Sequence, residues 1–170
     1  MKVVKFGGSS LASATQLEKV FNIVKEDEAR QYVVVSAPGK RNAEDTKVTD
    51  ALIKYYKEYT NGKDTSQSQE WIINRYRSIT EELDLNEEII EEIARDIMSL
   101  ATLPKSDNTF LYDTFLAAGE NNNAKLIAAY FVKKGLEAKY IHPKDAGIFV
   151  TSEPCNARIL PSSYDKIEEL

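Results

Sequence analysis

The first 39 residues alternate between short apolar runs and an amphipathic helical pattern. Lys2–Phe6 is a β-branched run that predicts a buried strand, and the strand ends on the turn Gly7-Gly8-Ser9-Ser10. Ser13, with Gln16 three residues later, forms a capping-box pattern before apolar residues at helical spacing. Residues 32–35 predict a second buried strand. A strand, a helix and a strand in this order indicate a βαβ unit with a two-sided parallel sheet, and hence an α/β fold.

The middle of the chain loses the strand pattern and becomes helical. A polar loop covers residues 39–47, and Thr49-Asp50 is predicted to begin a helix. Residues 60–69 have the composition of a polar linker. The block 61–103 then carries four basic against ten acidic residues, with apolar positions at two separate helical periods. We therefore expect a helical hairpin that lies on the sheet domain.

The last third of the chain predicts a mixture of helix and strand. Residues 109–134 indicate a long helix that is interrupted near Gly119. Residues 138–141 and 148–151 predict a third and a fourth strand, and residues 162–170 an amphipathic helix.

Composition narrows the possible functions. The single cysteine, Cys155, excludes a disulfide framework, and the single histidine, His142, argues against a histidine-rich metal centre. The formal net charge of −5 makes nucleic acid a poor choice of partner. Neither a signal-peptide core nor an apolar run long enough to span a membrane is present, so we expect a cytoplasmic protein.

The first candidate for chemistry is the glycine turn after the first strand. Gly7 and Gly8 let the backbone approach a ligand, and consecutive N–H groups there would form a cradle for an anion. Lys5, at the end of the strand, would reach a phosphate as a point charge. A plain strand-to-helix turn explains the same residues equally well.

Three other side chains stand at places where ligands commonly bind. Ser36 ends the second strand, at the carboxyl edge of the predicted sheet, although its hydroxyl also suits an ordinary turn. Thr49 suits a helix N-cap. Glu120 is a carboxylate beside a glycine in an otherwise apolar helix, or simply a solvated glutamate. The polar triplet 121–123 that follows has no explanation from the sequence.

Several segments together resemble the N-terminal part of the aspartokinases, in the amino-acid kinase family. The resemblance rests on the opening KFGGSS, on VVVSAPGK followed by VTDALI, on AAGE followed by NNNAKLIAAYF, and on KDAGIFVTSEPCNARIL. It implies an incomplete αβα sandwich in which the block 61–103 is a helical insertion without a recognised motif. One departure is Ala117-Ala118, where aspartokinases commonly have a serine or a bulkier polar pair.

The resemblance implies a role for each candidate residue. The phosphate- and ATP-binding residues would be Lys5, Gly7, Gly8 and Ser9, with Lys5 also catalytic. The residues that bind L-aspartate would be Ser36, Thr49 and Glu120. The activity would be transfer of the ATP γ-phosphoryl group to the β-carboxylate of aspartate, the first step of lysine, threonine and methionine biosynthesis. Mg²⁺ would be held by the ATP phosphates and not by a protein metal site.

The resemblance also implies a larger enzyme. Residues 1–170 would be the N-terminal portion of a kinase domain, without the C-terminal nucleotide-binding half and the ACT domains, and we expect that this portion alone is inactive. The intact enzyme would be a homo-oligomer. Two other hypotheses remain open: another kinase of the same fold that acts on a different small acid or a nucleotide, and a catalytically silent binding or assembly fragment.

Overall fold

The computed structural model describes residues 1–106 and 108–168. It begins with the predicted βαβ unit: strand β1 (Lys2–Phe6), a 3-10 turn (Gly8–Leu11), helix α1 (Ala14–Lys25) and strand β2 (Arg30–Val35). The two strands pair in parallel, with Lys5 opposite Val34. Ser13 is the N-cap of α1, as its capping-box pattern predicts, and its Oγ accepts a hydrogen bond from the Gln16 amide at 3.4 Å.

The two faces of this sheet differ. One face packs on the hydrophobic core through Val4, Phe6, Val33 and Val35. On the other face Val3 is 66% exposed and Val34 is 50% exposed. We expected a sheet buried on both faces. The described residues cover only one face, so this expectation is wrong for the described part of the chain.

Three helices follow the sheet: α2 (Val48–Thr60), α3 (Ser66–Glu82) and α4 (Glu87–Ser99). The linker predicted over residues 60–69 was too long, because α2 includes Thr60 and α3 already begins at Ser66. The first turn of α3 is polar and lacks apolar residues at helical spacing. Asp64 stabilises the start of this helix: its Oδ1 accepts hydrogen bonds from the Ser66 amide at 3.0 Å and from the Ser66 hydroxyl at 2.6 Å. Helices α3 and α4 pack against each other as the predicted hairpin.

Helix α5 (Asn108–Lys133) runs without a break, so the interruption expected near Gly119 was wrong. Gly119 serves close packing instead. A Cβ atom there would lie 2.9 Å from Ala37 Cβ and 3.0 Å from Leu52 Cδ1. The helix ends at Lys133, and the φ of +88° at Gly135 allows the amide of Leu136 to donate to Phe131 O at 3.0 Å. Fully buried residues of α5, among them Phe115 and Leu126, belong to the same core as α1–α4.

The C-terminal segment contains less sheet than its sequence predicts. No described segment pairs with residues 138–141, and a strand forms only where a neighbour completes its hydrogen bonds. Near residues 148–151 there is a single antiparallel bridge, Val150 to Ile159, and not a strand. Helix α6 (Ser162–Glu168) confirms the last predicted helix; the two final residues of that prediction lie outside the described residues. No helix in the described part of the chain is long and apolar enough to cross a membrane.

Candidate functional site

The glycine turn after β1 contacts the loop after β2. The Gly39 amide donates a hydrogen bond to Gly8 O at 2.8 Å. A Cβ atom on Gly39 would lie 2.5 Å from the Gly8 carbonyl carbon and 2.8 Å from the Ser9 nitrogen, so only glycine fits at position 39. Gly39 is absent from the residues predicted from the sequence, although a glycine just after the second strand is a signal of close backbone approach.

Lys5 lies next to this turn. Its Nζ atom is 3.8 Å from the position that a Cβ on Gly7 would occupy. The side chain is exposed, and no carboxylate among the described residues pairs with it. Ser9 is also exposed, inside the 3-10 turn, where the first backbone N–H groups have no partner in the same helix. The turn therefore presents an unpaired ammonium group beside open backbone, which suits an anion.

Helix α5 brings Glu120 to the same region. Gly119 packs on Ala37, the neighbour of Ser36, and a Cβ on Gly119 would also lie 3.6 Å from Val48 Cγ1, in the first turn of α2. Thr49 follows Val48 directly. The close approach at Gly119 thus places the backbone of the predicted aspartate-binding residues (Ser36, Thr49 and Glu120) around one packing contact.

The simpler explanations for two of these residues can be compared with the structure. The N-cap position of α2 is Lys47, without a side-chain hydrogen bond, so Thr49 is not the cap. Glu120 is only partly exposed and lies near the buried Tyr76. Burial and then the charge of Glu120 raise the pKa of Tyr76 above its usual range. The Tyr76 hydroxyl donates to Gly119 O at 2.8 Å, which fixes the backbone beside Glu120.

The polar triplet of α5 has a structural role that the sequence did not reveal. Asn123 is fully buried, and its Nδ2 donates to Ser36 O at 2.7 Å, so it holds the loop after β2. Asn121 Oδ1 accepts a hydrogen bond from the Tyr140 hydroxyl. Asn122 is also fully buried, and neither of its amide atoms has a partner among the described residues.

A buried ion pair lies behind the two loops. Arg75, on α3, donates to Asp45 Oδ2 at 2.8 Å, and the two side chains are only 2% and 7% exposed. Arg41 also donates to Asp45, at 2.9 Å from its Nε. Hydrogen bonds from Arg41 and then from Arg75 hold the pKa of the Asp45 carboxyl well below its usual range. The signal in the sequence was a lone arginine among the apolar positions of a helix.

The described residues include no cluster of three histidine, cysteine or carboxylate side chains that could hold a metal ion. The only cysteine of the chain, Cys155, lies elsewhere. Its amide donates to Asp113 Oδ2 at 2.8 Å, and the hydrogen bond of the thiol to Asp113 raises its pKa. The candidate site offers a lysine, backbone amides, hydroxyl groups and one carboxylate.

The chain belongs to the amino acid kinase family, whose model matches residues 1–170. It is 54% identical over 170 residues to Aspartokinase 3 of Bacillus subtilis (strain 168), covering all of this chain and 37% of that protein. It is 27% identical over 175 residues to Aspartokinase 2, chloroplastic, of Arabidopsis thaliana, covering 98% of this chain and 31% of the relative. The resemblance drawn from the sequence motifs is confirmed.

Solved structures agree with this assignment. The aspartate kinase of Clostridium acetobutylicum matches with a TM-score of 0.74 at 30% identity, over 98% of this chain and 35% of that one. E. coli aspartokinase III, crystallised in complex with aspartate and ADP, matches with a TM-score of 0.71 over 99% of this chain and 36% of that one; at 20% identity it supports the fold alone. The incomplete αβα architecture is confirmed. The chain spans about a third of the length of the relatives it matches.

Proposed function

We propose that this chain is the aspartate-binding portion of an aspartate kinase, which transfers the γ-phosphoryl group of ATP to the β-carboxylate of L-aspartate. The observation that carries the proposal is the contact between the glycine turn beside Lys5 and the loop that bears Ser36, with Glu120 next to the same loop. The 54% identity to a bacterial aspartokinase supports it. So does a structural match, at 30% identity, to an aspartate kinase.

In this proposal the glycine turn binds ATP phosphates. Lys5 is the catalytic residue, and its exposed ammonium group stabilises negative charge on the transferring phosphoryl group. Gly7, Gly8 and Ser9 offer backbone amides to the phosphate oxygens. The absence of a side chain at Gly7 leaves Lys5 Nζ and the backbone open to the same ligand.

Aspartate would bind on the other side of this contact. Ser36 and Thr49 would donate hydroxyl hydrogen bonds to its carboxylates, and Glu120 would pair with its α-ammonium group. This pairing would decide which end of the substrate faces ATP. The β-carboxylate is already ionised at pH 7, so the reaction needs no general base, and the site must only hold two anions in line and stabilise the charge between them.

Magnesium and the remainder of the enzyme belong to the same proposal. The donor set of the described residues does not fit a protein cage for Mg²⁺, so the ion would be bound through the phosphates of ATP. Residues 1–170 would form the N-terminal portion of the kinase domain, with 61–103 as an inserted helical block. The rest of the nucleotide site would come from the C-terminal half. We propose that the whole enzyme is a cytoplasmic homo-oligomer that catalyses the first step of lysine biosynthesis.

The test uses the full-length enzyme, meaning the protein that contains this chain together with the remainder expected from its relatives. Purified enzyme is incubated with ATP, Mg²⁺ and L-aspartate, and aspartyl phosphate is trapped with hydroxylamine. Succinate, which lacks the α-ammonium group, should be a poorer substrate by roughly 10- to 150-fold in kcat/KM, the value of a charged hydrogen bond. L-Glutamate in the same assay, and UMP with release of ADP as the readout, separate the alternative kinases of this fold. Absence of hydroxamate with aspartate would refute the proposal.

A further inference from the structure

We propose that Arg75 is a positioning residue for phosphoryl transfer, and that it acts by clamping the glycine turn and the loop after β2 from behind. This inference rests on the proposed function. Arg75 comes from the helical block 61–103, outside the motifs on which the resemblance rests. Its side chain is only 2% exposed, so we expect it not to contact a substrate directly.

The clamp consists of three hydrogen bonds from one guanidinium group. Nη2 donates to Ala12 O at 3.0 Å and to Gly39 O at 2.7 Å, while Nη1 donates to Asp45 Oδ2 at 2.8 Å. Ala12 directly follows the 3-10 turn that begins at Gly8, and Gly39 lies in the second loop. One side chain therefore holds both loops at backbone positions.

The two loops are also joined directly, by the hydrogen bond from the Gly39 amide to Gly8 O. Arg75 binds the Gly39 peptide on its carbonyl side, so it fixes the orientation of the residue whose amide reaches the glycine turn. Because the turn lies beside Lys5, a shift of Gly39 would move the proposed phosphate cradle relative to the proposed aspartate-binding residues. A displacement of about 1 Å far from the chemistry can cost ~10²-fold in rate.

An arginine is needed here and not merely a cation. The guanidinium group is planar and offers several donors in a fixed geometry. A lysine ammonium group is a compact point charge on a shorter side chain. Arg75→Lys should keep the ion pair with Asp45, and much of the stability, but should lose at least one of the carbonyl hydrogen bonds. A purely structural role predicts that activity follows stability, and a clamp predicts that the two separate.

The experiment compares wild type, Arg75→Lys and Ile93→Ala in the full-length enzyme. Ile93 is fully buried in α4, a helix that packs on α3 and α5, and its truncation controls for lost stability. We measure thermal unfolding, kcat and KM by hydroxamate trapping, and hydrogen–deuterium exchange of the Gly39 amide. Arg75→Lys should lower kcat by ~10²-fold with little change in KM for aspartate. Exchange at Gly39 should become roughly tenfold faster or more, because its hydrogen bond to Gly8 is no longer held in place.

The outcomes separate this inference from the proposed function. An inactive wild type whose Gly39 amide is loosened by Arg75→Lys would refute the kinase assignment and still support the clamp on the loops. An active wild type with unchanged kcat in folded Arg75→Lys would overturn the positioning role, whatever the exchange rate. A loss of kcat in Ile93→Ala as large as that in Arg75→Lys would overturn it as well, because activity would then only follow stability.

Discussion

Substitution of Gly39 by alanine tests the contact between the two loops directly. The added Cβ would meet three backbone atoms: the Gly8 carbonyl carbon at 2.5 Å, the Gly8 oxygen at 2.7 Å and the Ser9 nitrogen at 2.8 Å. Non-bonded carbon atoms prefer separations of about 3.5–4.0 Å, so the loops would have to move apart by about 1 Å. None of the three atoms can turn away, because all belong to the main chain.

The size of the effect follows from this movement. Overpacking costs about 1–3 kcal/mol, and loss of the 2.8 Å hydrogen bond from Gly39 to Gly8 about 1 kcal/mol more, so we expect Gly39→Ala to lower the free energy of unfolding by about 2–4 kcal/mol. A displacement of about 1 Å in the glycine turn should also lower kcat by ~10²-fold. The measurements are urea unfolding and hydroxamate trapping on the full-length enzyme.

The matched control is Gly135→Ala. Gly135 has a φ of +88°, and no atom lies within 4 Å of the position that a Cβ would occupy there, so alanine strains the backbone by roughly 1–2 kcal/mol without touching the loops. It should destabilise the protein and leave kcat unchanged. If folded Gly39→Ala lost less than about threefold in kcat, the two loops would not need this contact for catalysis, and the reasoning would be refuted.

Three further predictions concern single side chains. Lys5→Ala should lower kcat by roughly 10²–10³-fold with little change in KM for aspartate, because it removes a charge directed at phosphate; initial rates measure both. Glu120→Gln should raise KM for aspartate roughly 10- to 150-fold but not KM for ATP, because it removes a charged hydrogen bond worth ~1.5–3 kcal/mol. The third prediction is a pH dependence. Because Arg41 and Arg75 depress the pKa of Asp45, its contribution to stability is complete above the unfolded pKa of about 3.9 and is lost as the pH falls toward the lower folded pKa. Urea unfolding should show the stability difference between wild type and Asp45→Asn shrinking by about 1 kcal/mol from pH 7 to pH 3.

Each of these has a contrary result. A Lys5→Ala enzyme within about threefold of wild-type kcat would remove Lys5 from the catalytic machinery. An unchanged KM for aspartate in folded Glu120→Gln would show that Glu120 does not bind the α-ammonium group of aspartate. A stability difference between wild type and Asp45→Asn that stays constant with pH would show that the carboxyl of Asp45 is not held by its arginines.

The βαβ unit could be predicted from the sequence because its signals are local. A β-branched run, a capping box at Ser13 and a second apolar run each describe a few neighbouring residues, and the parallel pairing of β1 with β2 follows from their order. The family motifs worked for the same reason: KFGGSS and AAGE are short stretches. Where the helix signal was polar, as at Ser66, the boundary was misplaced, because the stabilising partner was a side chain and not an apolar period.

The roles of Gly39, Gly119 and Arg75 are visible only in the folded chain. Each acts through partners that are far away in the sequence: Gly39 through Gly8, Gly119 through Ala37, and Arg75 through the carbonyl groups of Ala12 and Gly39. A glycine looks the same in a sequence whether it breaks a helix or lets two backbones meet. A lone arginine looks the same whether it is solvated or buried in a fork of hydrogen bonds. The physical difference lies in the groups that packing brings within a few ångströms, and these are set by the fold.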